Sequence, residues 1–118
     1  MGNRPNILFF LTDDHGQWAS RCYGNRELFT PSMDHLAATG VRMLNAFTPC
    51  PVCSPARACA FTGRLPSQHG IHDWLQEWDV AREHPGLAGQ ITLPQLLRRA
   101  GYQTALTGKW HMGSRPEW

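Results

Sequence analysis

The sequence has no long hydrophobic run and no large net charge of either sign, and Lys109 is its one lysine. Eleven basic residues against nine acidic ones leave a net charge of +2 over 118 residues. This excess is too small, and its members are too scattered, to indicate a nucleic-acid-binding surface. No apolar run approaches the roughly 18 residues of a membrane span. We therefore expect neither nucleic acid nor membrane as a partner.

The start of the chain shows no hydrophobic leader before the apolar run that begins at residue 6. We expect a cytoplasmic location for the chain as given, and a periplasmic or secreted one if a leader segment has been removed.

The chain also has few cysteines, at positions 22, 50, 53 and 59. Two disulfides are possible, but nothing else resembles a small disulfide-rich secreted domain, so we interpret all four as thiols. Cys50 and Cys53 form a C-x-x-C pair, which leaves open a redox pair or half of a zinc site. The zinc alternative needs further ligands, and Cys59 with His69 or His72 would be a poor set.

The pattern of apolar and helix-forming segments predicts an α/β fold with a mainly parallel sheet flanked by helices. At 118 residues the chain is one domain at most. Capping residues, proline near the start and glycine at the end predict the helices. We predict strands at 6–11, 41–47 and 102–106, helices at 30–40, 53–63 and 92–101, and loops at 17–29 and 65–89.

Two aspartates follow the first predicted strand. Asp13 and Asp14 come directly after the apolar run at 6–11, at the carboxyl end where α/β sheets collect ligands. Neighbouring carboxylates repel each other and are well suited to a hard divalent cation such as Ca²⁺ or Mg²⁺. The alternative is a solvated turn, in which aspartate is common.

The segment 53–64 predicts a helix whose candidate reactive residue lies at its N-terminus. Pro55 suits the first turn and Gly63 the C-terminal end, which places Cys53 at the helix N-terminus. Unpaired N–H groups there favour an oxyanion. Arg57 lies one turn further on and can direct its guanidinium toward position 53. The alternative is an ordinary buried cysteine at a helix start.

This segment, Cys-x-Pro-x-Arg followed by Thr-Gly-Arg, resembles the signature of the formylglycine-dependent sulfatases of the alkaline phosphatase superfamily. The resemblance implies that a formylglycine-generating enzyme converts Cys53 to an aldehyde, whose hydrate is the nucleophile. It also implies an alkaline-phosphatase-like sulfatase fold. One hydroxyl of such a hydrate attacks sulfur and the other later expels sulfate.

Two further segments resemble the same family. The run from Pro5 to the paired Asp13 and Asp14 is similar to the family's opening strand, whose aspartates bind the metal together with the modified residue 53. The Gly-Lys-Trp-His-x-Gly segment is similar to a second signature, which implies that Lys109 and His111 contact sulfate. On an extended segment these two side chains would point to the same side. Alone, they would be interpreted as exposed polar residues after a strand.

The resemblance implies a sulfuric ester hydrolase acting on a sulfated small molecule or carbohydrate, with Ca²⁺ or Mg²⁺ and formylglycine. A phosphonate monoester or phosphodiester hydrolase is the alternative within the superfamily. Family members continue for several hundred residues, so we interpret residues 1–118 as the N-terminal part of the catalytic domain and expect this chain alone to be inactive. A non-catalytic truncated fragment is the further alternative.

The loop at 65–89 contains His69, His72, Trp74 and Trp78. The histidines are weak candidates for acid–base groups. The tryptophans are candidates for a substrate entrance, but packing against the core is the favoured interpretation.

Overall fold

The computed structural model describes residues 4–76, 78 and 85–113 of the chain. It divides the chain into two compact units, Met1–Ala46 and Phe47–Trp118. The helices of the described residues are two short 3-10 turns, Gln17–Ala19 and Arg21–Tyr23, and four α-helices: α1 (Pro31–Thr39), α2 (Cys53–Thr62), α3 (Pro66–His69) and α4 (Leu93–Arg99). None of these helices has the length and apolar character needed to cross a bilayer.

The first α-helix lies where the residues typical of helix ends predicted it. Helix α1 begins at Pro31, carries Asp34 in its first turn and ends before Gly40, whose N–H donates to the Leu36 carbonyl. Thr30 is the N-cap residue, but its side chain makes no hydrogen bond to the backbone of the first turn. Its hydroxyl instead donates to the Asp34 carboxylate at 3.2 Å. The acidic residue therefore stabilises the helix start through a side-chain contact.

Helix α2 also forms where it was predicted. It begins at Cys53 and ends at Thr62, and the following Gly63 adopts a left-handed conformation (φ 66°) and donates its N–H to the Cys59 carbonyl at 2.8 Å. Pro55 lies in the first turn, where its missing N–H leaves no intrahelical bond unmade. The helix start, and with it Cys53, is thus placed by signals at both ends.

Helix α4 forms where it was predicted, but two of its leucines remain exposed. Gln95 accepts a hydrogen bond from the Thr92 N–H at 2.9 Å, an arrangement that stabilises the first turn. Leu93 and Leu96 are nevertheless 41% and 50% exposed. The same holds for Leu36 of α1, which is 67% exposed.

No β-strand is present among the described residues, so the predicted parallel sheet is not confirmed. A strand requires a neighbour for its backbone N–H and C=O groups, and a strand of a parallel sheet also requires cover on both faces. The run at 6–11 has neither, since Leu8 is 81% and Phe10 is 83% exposed. The predicted strands at 41–47 and 102–106 likewise lack regular structure.

Several polar contacts join the segments of the first unit. His15 Nε2 lies 2.8 Å from the hydroxyl of Ser20, which is buried, and the Tyr23 hydroxyl donates to the Met43 carbonyl at 2.9 Å. The guanidinium of Arg42 lies over the Tyr23 ring. The segment 17–29, predicted as a loop, contains two short 3-10 turns fixed by side-chain contacts.

The second unit has a small apolar core. Its buried members are Ala58, Ile71, Leu75, Leu87 and Met112, and Phe61 and Trp110 pack against them. The rings of Phe61 and Trp110 meet edge to face with centroids 5.3 Å apart. This core fixes helix α2 against the segments around residues 71–75 and 110–112, which carry the side chains described next.

Candidate functional site

Cys53 is the first residue of α2 and is partly buried. The Lys109 ammonium donates to its sulfur, with Nζ and Sγ 3.4 Å apart. A cation at this position stabilises negative charge on whatever side-chain atom residue 53 carries. The structure therefore brings together two residues that are 56 positions apart in sequence.

Arg57 joins the same group from one turn along the helix. It is only 7% exposed, and its Nη1 donates to the Lys109 carbonyl at 2.7 Å. We expected the guanidinium to turn toward position 53, and this bond directs one of its N–H groups to the backbone beside Lys109. A buried guanidinium with a carbonyl acceptor both holds the Lys109 segment against α2 and adds positive charge to the site.

Ser54 is a residue whose contribution we did not predict. It is fully buried, and its hydroxyl accepts a hydrogen bond from the Leu75 N–H at 3.0 Å. This bond fixes the loop that contains Trp74 to the start of α2. The only sequence signal was its position next to Cys53, in a place that the Cys-x-Pro-x-Arg pattern leaves variable.

His111 contacts the same loop. Its Nε2 accepts a hydrogen bond from the indole N–H of Trp74 and lies 2.8 Å from the Leu75 carbonyl oxygen. Our expectation that residues 109–111 form an extended segment is wrong, because Gly108 (φ 98°) and His111 (φ 54°) both adopt left-handed conformations. Long-range contacts, not strand alternation, therefore orient Lys109 and His111.

Asp13 and Asp14 belong to the first unit and are both exposed. Their carboxylates provide oxygens within 4.8 Å of each other. Asp14 has a left-handed backbone (φ 49°), which interrupts the strand-like alternation that would direct neighbouring side chains to opposite sides. Two hard oxygen donors at this separation fit Ca²⁺ or Mg²⁺, since a divalent cation would offset their repulsion.

The zinc and disulfide alternatives receive no support. None of the four cysteines forms a disulfide in this structure. Among the described residues, no group of three or more cysteine and histidine ligands gathers around one point. The interpretation of the cysteines as thiols stays a prediction with which this structure agrees.

The buried His69 lies against the partly buried Cys59 in the second unit. His69 is 4% exposed, its Nδ1 accepts the Ile71 N–H at 3.2 Å, and its Nε2 lies 3.4 Å from the Cys59 sulfur. Because Nδ1 is an acceptor, the neutral ring carries its proton on Nε2 and donates it to sulfur. Burial lowers the pKa of His69, with a smaller contribution from His72, and burial raises the pKa of the Cys59 thiol.

The lowered pKa of His69 predicts a loss of stability in acid. Unfolding restores the ordinary value of 6.5, so the unfolded chain binds a proton that the folded protein excludes as the pH falls below 6.5. The free energy of unfolding should therefore decrease from that pH down to the lowered pKa of the folded state. Urea unfolding across this range should show a weaker decrease in His69→Gln. The exposed His35→Gln variant controls for loss of an imidazole, and an unchanged slope in His69→Gln would contradict the prediction.

Comparison with known proteins agrees with these features. The sequence profile of the Sulfatase family matches residues 5–117. The chain therefore belongs to the sulfatase family.

Several relatives are similar along nearly the whole chain. An N-acetylglucosamine-6-O-sulfatase of Bacteroides thetaiotaomicron is 40% identical over 114 residues, which cover 97% of this chain and 19% of the relative. Human steryl-sulfatase is 40% identical (94% of this chain, 20% of the relative), and human arylsulfatase A is 38% identical (96% and 22%). The chain thus spans about a fifth of the length of these relatives, as expected for the N-terminal portion of a sulfatase.

A solved structure shares the fold. It is described as BT4656 in complex with its substrate D-glucosamine-2-N,6-O-disulfate, and it matches 98% of this chain and 22% of its own with a TM-score of 0.83 at 42% identity. The chain therefore has the fold of the corresponding part of a sulfatase.

Proposed function

We propose that this chain supplies the nucleophile and the anion-binding residues of a sulfuric ester hydrolase. The observation that carries the proposal is the contact between the Lys109 ammonium and the side chain of residue 53 at the start of α2. Membership of the sulfatase family supports it. The motif that surrounds Cys53 is the one that resembles the signature read by a formylglycine-generating enzyme.

The aldehyde at position 53, once hydrated, would provide one hydroxyl to attack sulfur and a second to release sulfate. Lys109 would bind a sulfonate oxygen, and the contact between its Nζ and the residue 53 side chain supports this role. Arg57 adds a buried positive charge and holds the Lys109 backbone. His111 is proposed to donate a hydrogen bond to the anion. Fixed donors of this kind stabilise the charge that develops during sulfuryl transfer.

Asp13 and Asp14 are the proposed metal ligands, together with the modified residue 53. A bound Ca²⁺ or Mg²⁺ would supply a Lewis acid that stabilises the nucleophile's negative charge. The chain's contribution is a pair of carboxylates with oxygens within 4.8 Å of each other, and Asp14 reaches this position through its left-handed backbone.

Removal of one carboxylate should therefore weaken metal binding. We expect Asp14→Asn to raise the dissociation constant for Ca²⁺ or Mg²⁺ at least about tenfold, because a charged oxygen ligand becomes a neutral one. Calorimetric titration of each cation measures this, with the exposed Glu27→Gln as the matched loss of a carboxylate. Equal affinities in wild type and Asp14→Asn would show that the aspartates do not form a metal site.

The substrate class is proposed from the relatives. One relative is named as a sulfatase of N-acetylglucosamine 6-O-sulfate groups, and the similar solved structure holds a disulfated glucosamine as its substrate. We propose a sulfated carbohydrate for this protein.

The reaction is tested by assaying an aryl sulfate, an aryl phosphonate and glucosamine 6-sulfate side by side on the complete protein, coexpressed with a formylglycine-generating enzyme. We expect release of sulfate from the sulfate esters at a higher kcat/KM than hydrolysis of the phosphonate. Faster phosphonate turnover would instead favour the phosphonate monoester or phosphodiester hydrolase. Release of sulfate from the aryl ester but not from glucosamine 6-sulfate would contradict the proposed carbohydrate substrate and leave the proposed reaction standing.

A further inference from the structure

Trp74 contacts the edge of the His111 ring, in the second unit. The two rings are nearly perpendicular, at 89°, with centroids 5.8 Å apart, and the indole N–H donates to Nε2. Trp74 remains 55% exposed, so burial alone does not explain its position. The contact joins residues 37 positions apart, one in a loop and one in the Gly-Lys-Trp-His segment.

The chemistry of the indole restricts the protonation of His111. An indole N–H is only a donor, so a hydrogen bond to Nε2 requires a lone pair on that nitrogen. A neutral ring must then carry its proton on Nδ1. Trp74 thus favours one of the two tautomers.

The Leu75 carbonyl favours the opposite tautomer. Its oxygen lies 2.8 Å from Nε2 and would accept a proton carried there. The carbonyl is held in place, because Leu75 is buried and its N–H is bonded to the hydroxyl of Ser54. His111 Nε2 therefore contacts both the Leu75 carbonyl, which can only accept, and the Trp74 indole N–H, which can only donate. Without the indole donor, the carbonyl would be the remaining partner, and the proton would move to Nε2.

We propose that Trp74 is a positioning residue that holds His111 as the Nδ1–H tautomer. Nδ1 is buried and has no hydrogen-bond partner among the described residues. An N–H there without an acceptor is unfavourable, and a bound anion would remove that penalty. The assignment of this N–H to a sulfate ester or to the nucleophile rests on the proposed function. The tautomer itself does not.

The hydrogen bond is tested in the unaltered protein. The complete protein, labelled with ¹⁵N in histidine and tryptophan, should show a scalar coupling across the hydrogen bond between Trp74 Nε1 and His111 Nε2. The chemical shift of Nε2 should be that of an unprotonated nitrogen. A protonated Nε2, or no coupling to Trp74, overturns the proposal without any substitution.

Trp74→Phe keeps an aromatic ring and removes the donor. We expect the His111 proton to move to Nε2 and kcat for the sulfate ester to fall at least about tenfold, with KM nearly unchanged, because a wrong tautomer impairs catalysis more than binding. Trp18→Phe makes the same change at a tryptophan that is 74% exposed and should leave the His111 shifts and kcat unchanged. An unchanged tautomer in Trp74→Phe overturns the proposal. A wild-type protein that releases no sulfate contradicts the proposed function alone, since the nitrogen shifts still report on Trp74.

Discussion

Replacement of Cys53 by serine should abolish turnover while leaving a single sulfuryl transfer possible. A serine hydroxyl at the start of α2, next to the Lys109 ammonium, can attack a sulfate ester once. The resulting serine sulfate has no second hydroxyl on the same carbon to expel the sulfate. We therefore expect steady-state kcat to fall by a factor on the order of 10⁴ or more, as when a catalytic nucleophile is removed.

Intact-protein and peptide mass spectrometry provide the measurement. The wild-type peptide that contains residue 53 should be lighter than its unmodified sequence by roughly 18 Da after conversion of the thiol to an aldehyde. The Cys53→Ser peptide should gain one sulfuryl group on incubation with an aryl sulfate. Cys22→Ser removes a thiol of similar exposure and should retain full turnover. Normal turnover in Cys53→Ser would exclude residue 53 as the nucleophile.

The parts of the fold that could be predicted depend on local signals. The bounds of α1 and α2 follow from Pro31, Gly40 and Gly63, whose effects on the backbone act within one turn. The position of Cys53 at a helix start needed no knowledge of the rest of the chain. Helix α3, in contrast, has only four residues and lies in a segment that we interpreted as loop.

The sheet could not be established in this way. The apolar run at 6–11 has the composition of a strand buried on both faces, but strand formation requires a hydrogen-bonding neighbour. Within the described residues that neighbour is missing, and Leu8 and Phe10 remain exposed. Strand propensity therefore identified a segment without determining its partner.

The contacts around the candidate site could not be predicted either, because they join residues that are far apart in the sequence. Ser54 bonds to Leu75 across 21 residues, and Arg57 bonds to the Lys109 carbonyl across 52. No local pattern encodes such pairs. Trp74 was a weak candidate in an irregular loop, and only the tertiary structure shows that its indole N–H meets His111. The motifs identified which residues carry the chemistry, whereas the buried core determines how they are oriented.

The second large effect is expected at Lys109. Its ammonium contacts the residue 53 side chain at 3.4 Å, and methionine keeps much of the length of lysine without its charge. Loss of one fixed donor to a developing oxyanion typically lowers kcat by a factor of about 10²–10³. We therefore expect Lys109→Met to reduce kcat for a sulfate ester by this factor while mass spectrometry still shows conversion of Cys53.

The control for this prediction is Arg98→Met, which removes one positive charge from the exposed surface of α4 and should leave kcat unchanged. Solvent and salt screen the charge of an exposed residue, so the loss of one unit of net charge should by itself change kcat little in either variant. Because the Lys109 carbonyl is a backbone group, its bond to Arg57 remains available in Lys109→Met. A loss of kcat confined to Lys109→Met would then be due to the ammonium itself. Equal rates in wild type and Lys109→Met would show that the contact with residue 53 has no part in the reaction.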